Sequence, residues 1–253
     1  MEKINLEYFG QEFNKLQQMD PDHYISSLRE KSFNHFNKKG LPTTKNEEWK
    51  YTSVSDLFRK EYRLTEDENK AEISFSEIDT IRLAGYEKAN ELVFVNGKYR
   101  SELSTIRSSE DQLIVLPLEE AANGKYKELV NAHLGKSNLF IRDAIHALNT
   151  SFIYGGVFIY AVKGQIIENP VYLYHLSDAR ENHILSQPRS LFYVDQSAKL
   201  QLVETYQTIG SMDSFTNEVF EVVVNSNAIV EYYKIQNDSP NASQVFTTHI
   251  RQV

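Results

Sequence analysis

From residue 151 to residue 253 the chain passes from one strand-like run to the next, with no convincing helix between them. Segments 152–162, 166–176, 190–194, 200–208, 219–224, 229–235 and 245–250 are rich in Val, Ile, Phe and Tyr, side chains that suit a pleated, half-buried surface. The breaks carry Gly164, Asn169-Pro170, Gly210, Asn225, Asn227 and Asn237. This restricts the second half of the chain to all-β architectures. An internal echo helps choose among them. Ser197-Ala198-Lys199-Leu200-Gln201-Leu202-Val203-Glu204 is similar to Asn227-Ala228-Ile229-Val230-Glu231-Tyr232-Tyr233-Lys234, 30 residues further on. Self-similarity at that period points to a solenoid, in which each turn covers the apolar face left by the one before. A sandwich with meander connections also accommodates a single echo.

The first sixty residues read as helical. Phe9, Phe13 and Leu16 fall at i, i+4 and i+7 on one face. Asp20-Pro21 breaks this pattern and can open the next helix, where Tyr24, Leu28, Phe33 and Phe36 continue an apolar stripe. Gly40 before Leu41-Pro42 is a helix stop. Thr44 with Glu47 fits a capping box that starts a short helix through Trp49, and 53–58 can form another turn or two. Residues 61–72 are strongly charged and read as an exposed connection. Their acidic cluster fits a solvated linker better than a cation site.

Residues 1–72 are therefore expected to form a helical N-terminal region, 73–150 a mixed α/β connection, and 151–253 the β part. Within the connection, Glu91-Leu92-Val93-Phe94-Val95, then Asn96-Gly97, then Lys98-Tyr99-Arg100 is a hairpin signal, because a type I′ turn needs φ > 0 at both central residues. A strand is expected at 112–116, a helix at 118–134 interrupted near Asn123-Gly124, and a further helix at 138–148.

Composition bounds the function. Thirty-five acidic against 27 basic side chains give a formal charge of −8, which argues against a broad nucleic-acid face. There is no cysteine, so neither a disulfide framework nor a thiolate metal site is available in these residues. Nothing approaches the length of a membrane-spanning apolar run, and residues 1–10 lack a signal-peptide pattern. A reducing cytoplasm suits this composition.

No catalytic, cofactor-binding or metal-ligating constellation stands out. There is no phosphate loop and no nucleophile elbow, and Gly155-Gly156 marks a bend in an apolar run. None of the seven histidines (His23, His35, His133, His146, His175, His183, His249) forms a metal-binding pair in sequence. His175 and His183 could meet across a turn, but a metal would need further ligands. Glu47 and Glu48 point about 100° apart on a helix and do not share a face. Trp49 and Tyr51 read as anchors for the short helix. Such a tally fits a scaffold better than an enzyme.

Several segments carry a resemblance. Gly40-Leu41-Pro42-Thr43-Thr44-Lys45-Asn46-Glu47-Glu48-Trp49-Lys50-Tyr51-Thr52 resembles the front hallmark of the SufD branch of the SufB/SufD family. Ala147-Leu148-Asn149-Thr150-Ser151-Phe152 with Gly156 and Gly164, Leu202-Val203-Glu204-Thr205-Tyr206, Phe215-Thr216-Asn217, and Tyr232-Tyr233-Lys234-Ile235-Gln236-Asn237 match the wider family, in order. The resemblance implies an incomplete right-handed parallel β-helix behind a helical and mixed N-terminal domain. It also implies a non-catalytic assembly subunit of the SUF iron–sulfur cluster system, pairing with SufB and working with the ATPase SufC. Cluster and ATP would then belong to the wider complex, with no cofactor bound by these residues. The family's cluster-associated Cys and His positions and its SufC-docking region lie beyond the matched segments, so the chain reads as an N-terminal portion. Self-association through an uncapped solenoid end would give a homodimer.

Two other readings stand beside this one. A β-helix carbohydrate-active enzyme would need clustered carboxylates, and Glu204 and Glu231 fall at nearly equivalent points of the echo, with Glu168 and Glu221 elsewhere. A SufB-like scaffold would hold the cluster itself, which the absence of cysteine opposes.

Overall fold

The computed structural model describes residues 6–19, 23–55, 57–60, 62–64, 73–141 and 143–253. It opens with two helices, α1 (Leu6–Met19) and α2 (His23–Lys39). Gly40 ends α2 at φ 65°, its N–H bonding the carbonyl of Phe36 at 2.9 Å. The break at Asp20-Pro21 lies outside the described residues. The expected capping box at Thr44 does not form. Thr43 and Asn46 close a turn on one another instead, and only a single 3-10 turn follows, Glu47–Trp49, with no side-chain cap. A capping box does form at Ser74 and Glu77, opening α3 (Phe75–Asp79). Trp49 packs into the core as expected, whereas Tyr51 is exposed.

The charged connection is less detached than its composition suggests. Residues 65–72 lie outside the described residues, but Tyr62 and Leu64 are buried, and β1 (Arg63–Leu64) pairs in parallel with β7 (Ile184–Ser186). The Asn96-Gly97 hairpin joins β2 (Asn90–Val95) to β3 (Lys98–Tyr99), with φ of 51° and 82° at the turn. After β4 (Leu113–Pro117) come α4 (Leu118–Asn123) and α5 (Lys127–His133), separated at Gly124. The helix expected at 138–148 begins later. A 3-10 turn spans Lys136–Leu139, and α6 (Ala144–Ser151) starts where the Asp143 carboxylate accepts the His146 N–H.

The remaining strands are β5 (Val157–Ala161), β6 (Val171–Asp178), β8 (Arg189–Val194), β9 (Lys199–Ile209), β10 (Ser214–Val224), β11 (Ile229–Ile235) and β12 (Ala242–Gln252). They wind into a parallel β-solenoid of about three turns, each turn placing a strand in each of two sheets. One sheet stacks β5, β8 with β7, β10 and β12, and the other stacks β2, β6, β9 and β11. β7 and β8 face successive parts of the continuous β10, so they are one strand interrupted at Gln187-Pro188. Proline has no N–H for the ladder.

The sequence echo is the rung repeat. Ile229 pairs with Lys199 and Val219 with Arg189. Its leading residues are the corners, where Ser197 (φ 59°) and Asn227 (φ 60°) turn the chain in left-handed conformations. Asn225 Nδ2 bonds the Val194 carbonyl of the preceding corner at 2.9 Å.

Alternation along each strand sorts side chains to two sides. Inward, Phe94, Leu173, Phe192, Leu202, Phe220 and Val222 fill the space between the sheets. Outward, the sheet containing β8 and β10 is covered twice. Phe9, Phe13, Phe36 and Phe152 pack with Leu185 and Phe215, and α4 and α5 pack on Phe158, Leu191 and Val223. Every residue of β10 is buried in consequence.

Candidate functional site

The inner face of the solenoid changes chemistry along its length. In β9 the inward positions run Leu200, Leu202, Glu204, Tyr206, Thr208, and in β10 they run Ser214, Thr216, Glu218, Phe220, Val222. The polar ends of these strands lie together. Thr208 meets Ser214 at 2.7 Å, and Ser177 meets Ser186 at 3.3 Å.

Between this polar end and the apolar core sit His175, Glu204 and Glu218. His175 Nε2 is 2.9 Å from Glu204 Oε1 and 3.5 Å from Glu218 Oε1. The imidazole is clamped in register between Phe94 (centroids 4.6 Å apart) and Tyr206 (4.8 Å). Both carboxylates turn their other oxygen to a ring of donors. The Tyr206 hydroxyl donates to Glu218 Oε2 at 2.6 Å and the Tyr232 hydroxyl to Glu204 Oε2 at 2.5 Å. Lys234 Nζ reaches the same two oxygens at 2.9 and 3.2 Å. Glu204 and Glu218 are 0% and 1% exposed at the side chain, while Lys234, at 16%, roofs the cluster under the Phe246 ring.

Two carboxylates this close in a dry interior titrate as a pair. Burial, then the Glu204 charge, pushes Glu218 up to about 7, against the pull of Lys234 and His175. Burial also opposes ionisation of Glu204, but its hydrogen bond to His175 and the charges of His175 and Lys234 outweigh that and hold it below the ordinary carboxylate range. Burial and the two glutamates raise the Tyr206 and Tyr232 hydroxyls, keeping them donors.

A pH dependence follows. Folded chain keeps the Glu218 proton that unfolded chain releases near its ordinary value. That contribution to stability is whole at acid pH and is lost as pH rises toward 7, by about 3 kcal/mol. His146 works in the opposite sense, since burial and Arg189 lower it to about 3. Comparison with E218Q isolates the glutamate: between about pH 5 and pH 8, the urea midpoint of the native chain falls relative to that of E218Q. A constant difference between the two curves would remove Glu218 as the titrating group.

The structure brings together residues that sequence reasoning kept apart. His175 does not meet His183, whose Nδ1 accepts the Asp213 N–H at 3.0 Å. Glu204 does not stack on Glu231. It lies in register with Lys234, while Glu231 lies opposite Gln201 and accepts its amide at 3.1 Å. Glu221 points the other way, to Arg189 at 2.7 Å. His133 contacts Arg251, His146 contacts Ser137 Oγ at 3.0 Å, and His249 stacks on Phe140. The missed signal is a parity break: Glu204 and Glu218 are carboxylates at inward positions, where their strands otherwise carry apolar, tyrosine or hydroxyl side chains. Elsewhere a concavity of about 640 Å³ lies between α2 and residues 134–141, with Lys31, His35, Lys136 and His146 on its wall.

Comparison with known proteins places this architecture in a class. The SufBD protein N-terminal region matches residues 2–173, and the SufBD core domain of SUF-system FeS cluster assembly matches 175–253. The chain therefore belongs to the SufBD family. Its relatives include the SufBD family protein slr0076 of Synechocystis (24% identical over 84% of this chain and 47% of that protein). SufB of Bacillus subtilis is 25% identical over 88% of this chain and 49% of its own length, and SufD of Escherichia coli 24% over 80% and 44%. SufB and SufD relatives are matched alike, so the comparisons reach the family and not the SufD branch. The chain spans about half the length of the curated relatives it matches. Among the described residues no helix is long and apolar enough to cross a membrane.

Proposed function

We propose that this chain is a non-catalytic, SufD-type scaffold subunit of a cytoplasmic SUF assembly, pairing with a SufB-like paralogue and working with a SufC-like ATPase. The observation that carries this reading is the tiling of the chain by the SufBD N-terminal region and core. The front motif, Gly40 to Thr52, favours the SufD type within that family. Of the four acids weighed for a carbohydrate-active enzyme, Glu204 and Glu221 are buried, Glu231 is paired with Lys199 and Glu168 is exposed, so they form no open carboxylate pair, which disfavours that alternative.

Co-expression of a tagged form, in its native reading frame, with the SufB-like and SufC-like chains tests the proposal. Recovery of a stable three-component complex is expected. Recovery of the tagged chain alone, with both partners folded, removes the scaffold reading and leaves the fold untouched. A SufB-like cluster-holding role is tested by anaerobic reconstitution with iron and sulfide, in which a stable cluster spectrum on this chain alone would replace our reading.

A further inference from the structure

Among the described residues one group of three side chains can ligate a metal ion, and it is the buried cluster of His175, Glu204 and Glu218. Their ligand atoms all lie within 4.8 Å of one another. Metal–ligand bonds of about 2.0–2.2 Å in a tetrahedral shell set donors roughly 3.3–3.5 Å apart, and His175 Nε2 stands 2.9 and 3.5 Å from the two Oε1 atoms. Small side-chain adjustments reach that spacing.

The orientation of the carboxylates is the stronger observation. Each Oε2 is taken by a tyrosine hydroxyl and by Lys234, which leaves each Oε1 turned toward the imidazole. Glu218 Oε1 has no hydrogen-bond partner although the residue is buried. A buried acceptor without a donor is costly. Outer donors that fix carboxylates while their inner oxygens converge are how metal sites are commonly held.

We propose that His175 Nε2, Glu204 Oε1 and Glu218 Oε1 bind a single divalent first-row transition-metal ion, with Lys234 as the gate that neutralises the site when the ion is absent. One imidazole and two carboxylates suit Zn²⁺, Fe²⁺ or Mn²⁺, and three ligand atoms within 4.8 Å of one another fit a single ion. Three protein ligands leave one position of a four-coordinate shell open. This inference does not depend on the SUF reading.

The test uses the full 253-residue chain after dialysis against a chelator. Calorimetry with Zn²⁺ and absorption titration with Co²⁺ are expected to give one equivalent bound, with visible bands of low coordination number, and Mg²⁺ is expected to bind far more weakly. Affinity drops at least tenfold in H175A and in E218Q, and about 10- to 100-fold in Y232F, which keeps every ligand and loses one outer donor. K234M binds more tightly than the native chain and gains more in melting temperature from Zn²⁺, since it removes a competing cation. Y232F and K234M keep the test informative should the ligand variants misfold. Absence of binding in both the native chain and K234M overturns the proposal. So does binding that H175A leaves unchanged, or binding of Mg²⁺ as tight as that of Zn²⁺.

Discussion

Replacing Arg189 by methionine is expected to lower the unfolding free energy by about 3–5 kcal/mol, because it strands a buried carboxylate. The Arg189 side chain is fully buried. It donates to Glu221 Oε2 at 2.7 Å, to Asn149 Oδ1 at 3.1 Å and to Thr150 Oγ1 at 3.2 Å. Glu221 also accepts the backbone N–H groups of Gly135 and Ser137 at 2.9 and 2.8 Å. Burial opposes its ionisation, yet Arg189 and these amides hold its pKa below the ordinary carboxylate range. The pair thus ties β8 and β10 to α6 and to the 134–139 segment. Urea denaturation of R189M near neutral pH measures the loss, and the double variant R189M/E221L should recover much of it, since an apolar pair leaves no uncompensated charge. If R189M and native chain unfold at the same midpoint, the network contributes nothing to the fold.

The second large effect is expected from F220A, at about 3–5 kcal/mol. Phe220 is fully buried between the sheets, 4.6 Å from the Phe192 ring and 4.9 Å from that of Tyr232, on which it stacks at 17°. Its removal opens a void among side chains from three successive turns, and β-solenoid strands already fixed by their ladders collapse little to fill it. The same melt distinguishes this from a local effect: a broad pre-transition confined to the last rung, without a shift of the main midpoint, would show that the ladder is not shared across turns.

Local chemistry explains what could be read in the sequence. Asn96-Gly97 announced its hairpin because few residues adopt φ > 0 twice running. The echo announced the rungs because each corner needs one left-handed residue and each strand after it alternates. Where the reading failed, a competitor or a distant partner decided. Thr44-x-x-Glu47 and Ser74-x-x-Glu77 are the same signature, but Asn46 at the first site bonds Thr43 and captures the turn. β7 is three residues long and is a strand because the continuing β10 and the distant β1 pair with it on either side. The burial of Tyr62 and Leu64 depends on a partner strand more than a hundred residues later. The His175–Glu204–Glu218 cluster draws one residue from each of three strands, so no spacing rule reaches it. Only the placing of two carboxylates at inward positions of their strands pointed there.

The pairing of successive turns has a temporal consequence. Lys199 waits only for Ile229, and Ser214 only for Ala242, so the later rungs close short loops and can zip up one upon another. The front of the molecule works on another clock. Arg63 must find Ile184, Asn90 must find Val171, and α2 must find α6. During synthesis the leading helices would emerge well before the strands they cover, so Phe9, Phe13 and Phe36 would have one another and Phe33 but not Phe152, Leu185 or Phe215 to pack on. The later-made strands are therefore the template on which the earlier-made helices complete their fold.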